Sequence, residues 1–442
     1  MRIDNLQPNI LPKSYPRERA VQNSPAFGIA NSGKLKNLFS YGLPCMYTGV
    51  EMIDPRRVQR LLNNNAFDAP VSEVMQTMKP FEKSITDIEY QVYKIIKSVA
   101  RLHPEKNLQQ ILKIITPSYS AKLKKEQLPV LEQIRIAASD LPEDYQYRFQ
   151  HFMSETEDKI NEKPIYLPFS SYEFKYKLDK IGEDIVQNGS PKAQRVISKL
   201  RLEASRLTDE TDSKTMETQQ QIMKFLKIIL KSSVLKKNEQ LRTLIGESQK
   251  RLKHERFLVP FSRKSFIYDL NNLIEPIEDE ELKTRLQQLA ISLPTSRKSI
   301  PAYIMKFSRE PSWKIGYRLL WPNLASVEHI LPQSKGGADE MYNFGGAGTR
   351  VNAERGNIDF TEQLVRVPET SENSQKYVDG LINQVKRGIF RKNNVSTSYV
   401  DEFCKTVQEQ SCGQVNLNIA ELQEHRYKGS VLLNILESLN LH

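Results

Sequence analysis

Between Ser326 and Asn357, in SVEHILPQSKGGADEMYNFGGAGTRVNAERGN, stand four side chains suited to hydrolysis of a phosphodiester: Glu328, His329, Asn343 and Asn352. An imidazole titrates near neutrality and can take a proton from water. A carboxylate and an amide oxygen are the hard donors that a magnesium-like cation accepts. The elements that must position them are readable nearby. Val327 to Leu331 reads as a short strand stopped by Pro332, and Lys335-Gly336-Gly337 is a turn signal. A polar loop carrying Asn343 follows, and a helix is expected to open near Arg350. Because neighbours on a strand point to opposite faces, Glu328 and His329 address different sides of one ligand. A cation held by Glu328 and the Asn352 amide oxygen therefore suits one side of a phosphate, with His329 as base on the other. Asn343, donor and acceptor at once, suits tying the loop to the strand so that the histidine is aimed.

This segment resembles the ββα-metal motif of HNH endonucleases. His329 matches the first signature histidine and general base, Asn343 the central asparagine fourteen positions on, and Asn352 the third position, twenty-three on. That third position is often histidine and is asparagine in several branches, including the HNH domain of RNA-guided type II CRISPR effectors. Glu328 stands where the family commonly has aspartate, and Ser326 where some members have another acid. The HIxP run, the Gly-Gly turn and the NAERGN ending also fit. The resemblance implies a magnesium or manganese cofactor, with Glu328 and Asn352 as metal ligands and His329 and Asn343 as catalytic residues. Many members carry a cysteine pair that clamps zinc. Gly348 and Val351 occupy those places here, so no structural zinc is expected. Lys335, Arg350 and Arg355 are candidate nucleic-acid contacts.

The 442 residues suffice for two or three domains; 39% apolar and 26% charged content is an ordinary folded balance. A net charge of +11 favours a polyanionic partner. Cys45, Cys404 and Cys412 form no CxxC pair, which points to a reducing compartment. No apolar run spans a bilayer, and residues 1–40 lack a hydrophobic signal core. A cytoplasmic setting without membrane association is expected, with export as a toxin or effector the alternative.

A second piece lies upstream. PCMYTGVEMID (44–54) reads as strand, Thr-Gly turn and strand, and resembles the C-x-Y-[CT]-G hairpin that precedes the catalytic strand in many HNH domains. Tyr47 and His329 are 282 positions apart. The domain is thus expected to be split, unless the hairpin is unrelated. The intervening chain is helical by pattern. Ser84 to Asp87 looks like a capping box for a helix ending at His103-Pro104, and a second helix over Leu108 to Ile115 is expected to stop at Thr116-Pro117. A third begins near Thr215, with Ile222, Phe225, Leu226, Ile229 and Leu230 on one face. There is also a repeat: LPFSSYEFKYKL (167–178) returns as VPFSRKSFIYDL (259–270), with a weaker echo in LPTSRKSI (293–300). In each copy Pro halts one segment and Ser caps an aromatic-bearing helix.

The expected architecture is α+β and predominantly helical: a flexible N-terminal tail (1–40), a small split ββα nuclease core (41–62 and 315–365), a large α-helical insertion (63–314) and a C-terminal helical segment (366–442). The expected activity is metal-dependent endonuclease cleavage of nucleic acid, DNA in preference to RNA. The alternatives are an inactive HNH-fold nucleic-acid-binding scaffold or a delivered nuclease toxin.

Overall fold

The computed structural model describes residues 29–210 and 212–438. It is mostly helical, with two short antiparallel strand pairs. In chain order come α1 (Ile29–Leu38), α2 (Pro55–Asn63), α3 (Val71–Met78), α4 (Asp87–Ala100), α5 (Leu108–Ala137), α6 (Glu143–Ile160), β1 (Ile165–Tyr166), α7 (Ser171–Asn188), α8 (Pro191–Ala204), α9 (Ser213–Lys231) and α10 (Glu239–Leu252). There follow β2 (Arg256–Phe257), α11 (Arg263–Ile274), α12 (Glu280–Ser292), α13 (Ile300–Phe307), α14 (Ser312–Leu320), β3 (Ala325–His329), β4 (Phe344–Gly348), α15 (Thr349–Arg355), α16 (Phe360–Arg366), α17 (Thr370–Lys386), α18 (Ile389–Lys392), α19 (Ser398–Gln410) and α20 (Ala420–Ser438). Among the described residues, no helix is long and apolar enough to cross a membrane.

The chain splits into two compact units, Met1–Ser120 with Thr295–His442, and Ala121–Pro294. The separate unit is thus shorter than the expected insertion. Residues 63–120 and 295–314 instead share a core with α2, built on Val58, Phe67, Val74, Tyr93, Ile96, Tyr303 and Leu319. The tail expected over 1–40 falls outside the described residues up to residue 28. From Ile29 the chain is helical, and Leu35, Leu38 and Phe39 are buried beside β3 and β4. Aliphatic and aromatic side chains with a core to enter are not left in solvent.

Helix α5 corrects a second expectation, for it runs through Thr116-Pro117 without stopping. A mid-helix proline costs about 3 kcal/mol through its missing N–H and its clash with the preceding turn. Here Thr116 Oγ1 donates to the Leu112 carbonyl (2.7 Å). Leu108, Ile111 and Leu112 anchor one end of the helix, and Leu131 and Ile134 anchor the other in a different core. Burial at both ends outweighs the local penalty.

The sequence repeat belongs to a larger duplication. The order helix, helix, strand, helix, helix occurs as α5-α6-β1-α7-α8 and again as α9-α10-β2-α11-α12. The copies exchange halves: α7 and α8 bury their apolar faces with α9 and α10, whereas α6 and the end of α5 do so with α11 and α12. The two strands pair antiparallel, Ile165 with Phe257 and Tyr166 with Arg256. Glu162 and His254, equivalent positions just before each strand, both adopt left-handed backbone (φ 58° and 56°). Ser170 accepts from the Glu173 amide and Ser262 from the Ser265 amide, capping α7 and α11 alike. The third echo behaves differently, for there Ser299 is the cap, of α13.

Candidate active site: a strand hairpin and helix around His329

Strands β3 and β4 pair antiparallel in the register Ala325–Gly348, Val327–Gly346 and His329–Phe344, and α15 follows directly. The FGGAG sequence of β4 carries poor strand propensity and reads as loop. It is a strand because close packing demands glycine. A Cβ at Gly346 would lie 2.7 Å from Met52 Cε and 2.9 Å from a Tyr377 ring carbon, and one at Gly345 would run into Met46 Sδ.

Both methionines come from the upstream hairpin, which sits against this unit. Met46 N donates to the Gly346 carbonyl (3.0 Å), Ala325 N to the Ile53 carbonyl (2.9 Å), and Gly348 N to Cys45 Sγ (3.3 Å). From the C-terminal segment, Asn373 Nδ2 donates to the Tyr47 carbonyl (2.8 Å) and Tyr399 Oη to the Phe344 carbonyl (2.8 Å).

The loop from Leu331 to Asn343 is closed by one side chain. Asn343, 1% exposed, accepts from Leu331 N (2.8 Å) and donates to the carbonyls of Leu331 (3.0 Å) and Ala338 (2.9 Å). Gly336 turns the loop at φ 87°, where a side chain would be strained. Replacing Asn343 by alanine leaves three partly buried backbone groups without this partner; we expect a loss of about 2 kcal/mol, read as a lowered midpoint in urea unfolding.

The loop delivers Asp339 to the histidine. His329 Nε2 lies 3.3 Å from Asp339 Oδ1, and its ring meets Phe344 edge to face at 4.9 Å. In the tautomer whose Nε2–H donates to Asp339, the basic lone pair is on Nδ1. Burial lowers the histidine pKa below its usual value of 6.5, against an opposing pull from Asp339. The imidazole is therefore neutral at pH 7. Asp339 was not singled out by the sequence, where it is one acid in a polar loop.

On the other face of β3, toward α15, Asn352 Nδ2 donates to Ser326 Oγ (3.0 Å) and the Val327 carbonyl (3.2 Å). Glu328 lies two residues along on that face. Its Oε1 pairs with Arg355, whose side chain is wholly enclosed and also donates to the carbonyls of His329 (2.8 Å) and Ile330 (2.6 Å). Burial pushes the Glu328 carboxyl up to about 7, with Arg355 pulling the other way. The Arg355 guanidinium also lies 5.5 Å from the Tyr47 ring centroid, so the upstream hairpin meets the ion pair directly.

These placements revise the expected nucleic-acid contacts. Arg355 cannot reach a phosphate from its enclosed position. Arg350 is 15% exposed and bonded to the buried Glu89. Lys335 pairs with Asp359 (2.7 Å) but stays open to solvent. The signal for the role of Arg355 was present: a glutamate inside a buried strand requires a cation, and a helix ending in arginine stood behind it.

No group of three or more His, Cys, Asp or Glu side chains that could hold a metal ion occurs among the described residues. The oxygens present still suit a hard cation. Glu328 Oε2 takes no hydrogen bond and is not sealed from solvent. The Asn352 amide donates through nitrogen alone, which leaves Oδ1 as acceptor. Magnesium usually takes few protein ligands, the rest being water and substrate oxygens. No protein-family model, curated protein or solved structure matches this chain.

Proposed function

We propose that the chain is a metal-dependent HNH-type endonuclease that hydrolyses phosphodiester bonds in nucleic acid, DNA in preference to RNA. One observation carries the reading: a strand hairpin and helix set an aspartate-oriented neutral histidine on one face and two oxygen donors, Glu328 and Asn352, on the other. His329 Nδ1 takes the proton of the attacking water, and Asp339 steadies the imidazolium that results. Asn343 fixes the loop that carries Asp339. Arg355 holds Glu328 in place on its strand. A magnesium or manganese ion held by Glu328 and Asn352 would neutralise charge on the scissile phosphate.

Supercoiled plasmid incubated with magnesium should be nicked or linearised, and EDTA should stop the reaction. Because the reaction needs Glu328 ionised as metal ligand and His329 neutral as base, kcat/KM should be steady in mildly alkaline buffer and fall on the acid side, first as Glu328 takes a proton near 7 and then as His329 does at its lowered pKa. A profile that stays flat from pH 8 to pH 5 would overturn both roles.

A second reading is an inactive nucleic-acid-binding scaffold. The Glu328–Arg355 pair favours it, since a carboxylate already neutralised attracts a cation less strongly. Plasmid bound but uncut at every magnesium or manganese concentration would decide for the scaffold.

A further inference from the structure

Two cations near this unit, Lys306 and Arg318, feel the charge of Glu310 and Glu89 respectively without forming an ion pair with either. The Arg318 guanidinium rests 4.4 Å from the Trp321 ring centroid and 5.5 Å from that of Phe307, and Lys306 Nζ lies 5.4 Å from the same Phe307 centroid. Among the described residues, neither forms a salt bridge, and Arg318 Nε is enclosed without a hydrogen-bond partner. Their neighbours are already engaged: Lys314 by Glu310 (2.8 Å), Arg297 by Glu354 (3.2 Å) and Arg350 by Glu89. Glu89 Oε2 and the Tyr303 hydroxyl are likewise enclosed and unpartnered. Burial, then Arg318 and Arg297, hold the Lys306 ammonium below the usual lysine range, with Glu310 pulling the other way. Arg297, Lys306, Lys314, Arg318 and Arg350 outnumber the acids beside them, Asp87, Glu89, Glu310 and Glu354, so the cluster keeps a positive balance. A guanidinium lying over rings keeps its in-plane N–H donors, and two oxygens of a phosphate can accept from that fork. Arg350, whose charge acts on Arg318, opens α15, the helix that carries Asn352.

We propose that Lys306 and Arg318 form a phosphate-binding subsite that grips the sugar–phosphate backbone of the nucleic acid. This rests on the nuclease reading and names how substrate is held. Contact is with backbone oxygens, so it is independent of base sequence and sensitive to salt.

The test is equilibrium binding of the full chain to a fluorescein-labelled DNA duplex of about 30 base pairs, in EDTA, from about 50 to 300 mM KCl. Each phosphate contact contributes a slope of about −0.9 to log K against log salt, so Lys306→Gln with Arg318→Gln should flatten the slope by about 1.8 and weaken binding at least tenfold near 100 mM. Arg318→Lys, which keeps charge but loses the fork, should keep the slope and lose part of the affinity. Should the double variant melt early, Lys306→Gln alone carries the test, with a slope change of about 0.9. A parent chain that binds and variants with its slope and affinity would overturn the subsite alone. A parent chain that fails to bind duplex even at low salt would overturn the subsite and the nuclease reading together.

Discussion

Replacing His329 by alanine should slow plasmid cleavage by about a hundredfold to ten-thousandfold, the usual contribution of a positioned base. The fold should survive, because His329 stands at the end of its strand and its bond to Asp339 is to a partly exposed acid. A thermal melt near that of the parent, with cleavage lost, is the expected pair of results. Parental cleavage by the variant would show that the base lies elsewhere. Duplex binding in EDTA should be unaltered, which separates loss of chemistry from loss of substrate.

Arg355→Met should have the largest effect on stability. Breaking a buried ion pair from one side commonly costs about 3–5 kcal/mol, because the remaining charge has no partner. Here the carbonyls of His329 and Ile330 also lose their donor. The cost should depend on pH. Glu328 already titrates above its ordinary 4.5, and removal of Arg355 raises it further. A group with a raised folded pKa favours the fold fully below its unfolded pKa and loses that contribution as pH rises through the folded value. The variant should therefore be most destabilised in mildly alkaline buffer and approach the parent near pH 5. Urea unfolding at several pH values measures this. Glu328→Leu combined with Arg355→Met should recover part of the loss, since neither charge is then stranded. A variant as stable as the parent at pH 8 would mean that the pair contributes nothing net.

How far the site is legible in the sequence differs residue by residue. The turn at Gly336 and the stop at Pro332 are local, and Asn343 declares itself as a loop residue that can both donate and accept. Strand β4 is not legible, because FGGAG is dictated by Met46, Met52 and Tyr377, which approach from far along the chain. The acid that orients His329 is equally hidden. Asp339 is one of several polar residues in that loop, and the closure by Asn343 decides that it meets the ring. Pro117 makes the same point for helices: its local cost is real, and anchorage at both ends of α5 exceeds it.

By itself the sequence determined the spacing of Glu328, His329, Asn343 and Asn352, the helical periodicity of most of the chain, and the ninety-two-residue repeat, because each is written in near neighbours. Tertiary structure decided which halves of the duplicated unit pack together, that residues 63–120 and 295–314 belong with the site, and that Arg355 faces inward to Glu328 rather than outward to a phosphate. The reason is physical. Burial and charge pairing are settled by whatever surface arrives from distant segments, and spacing along the chain carries no record of that arrival.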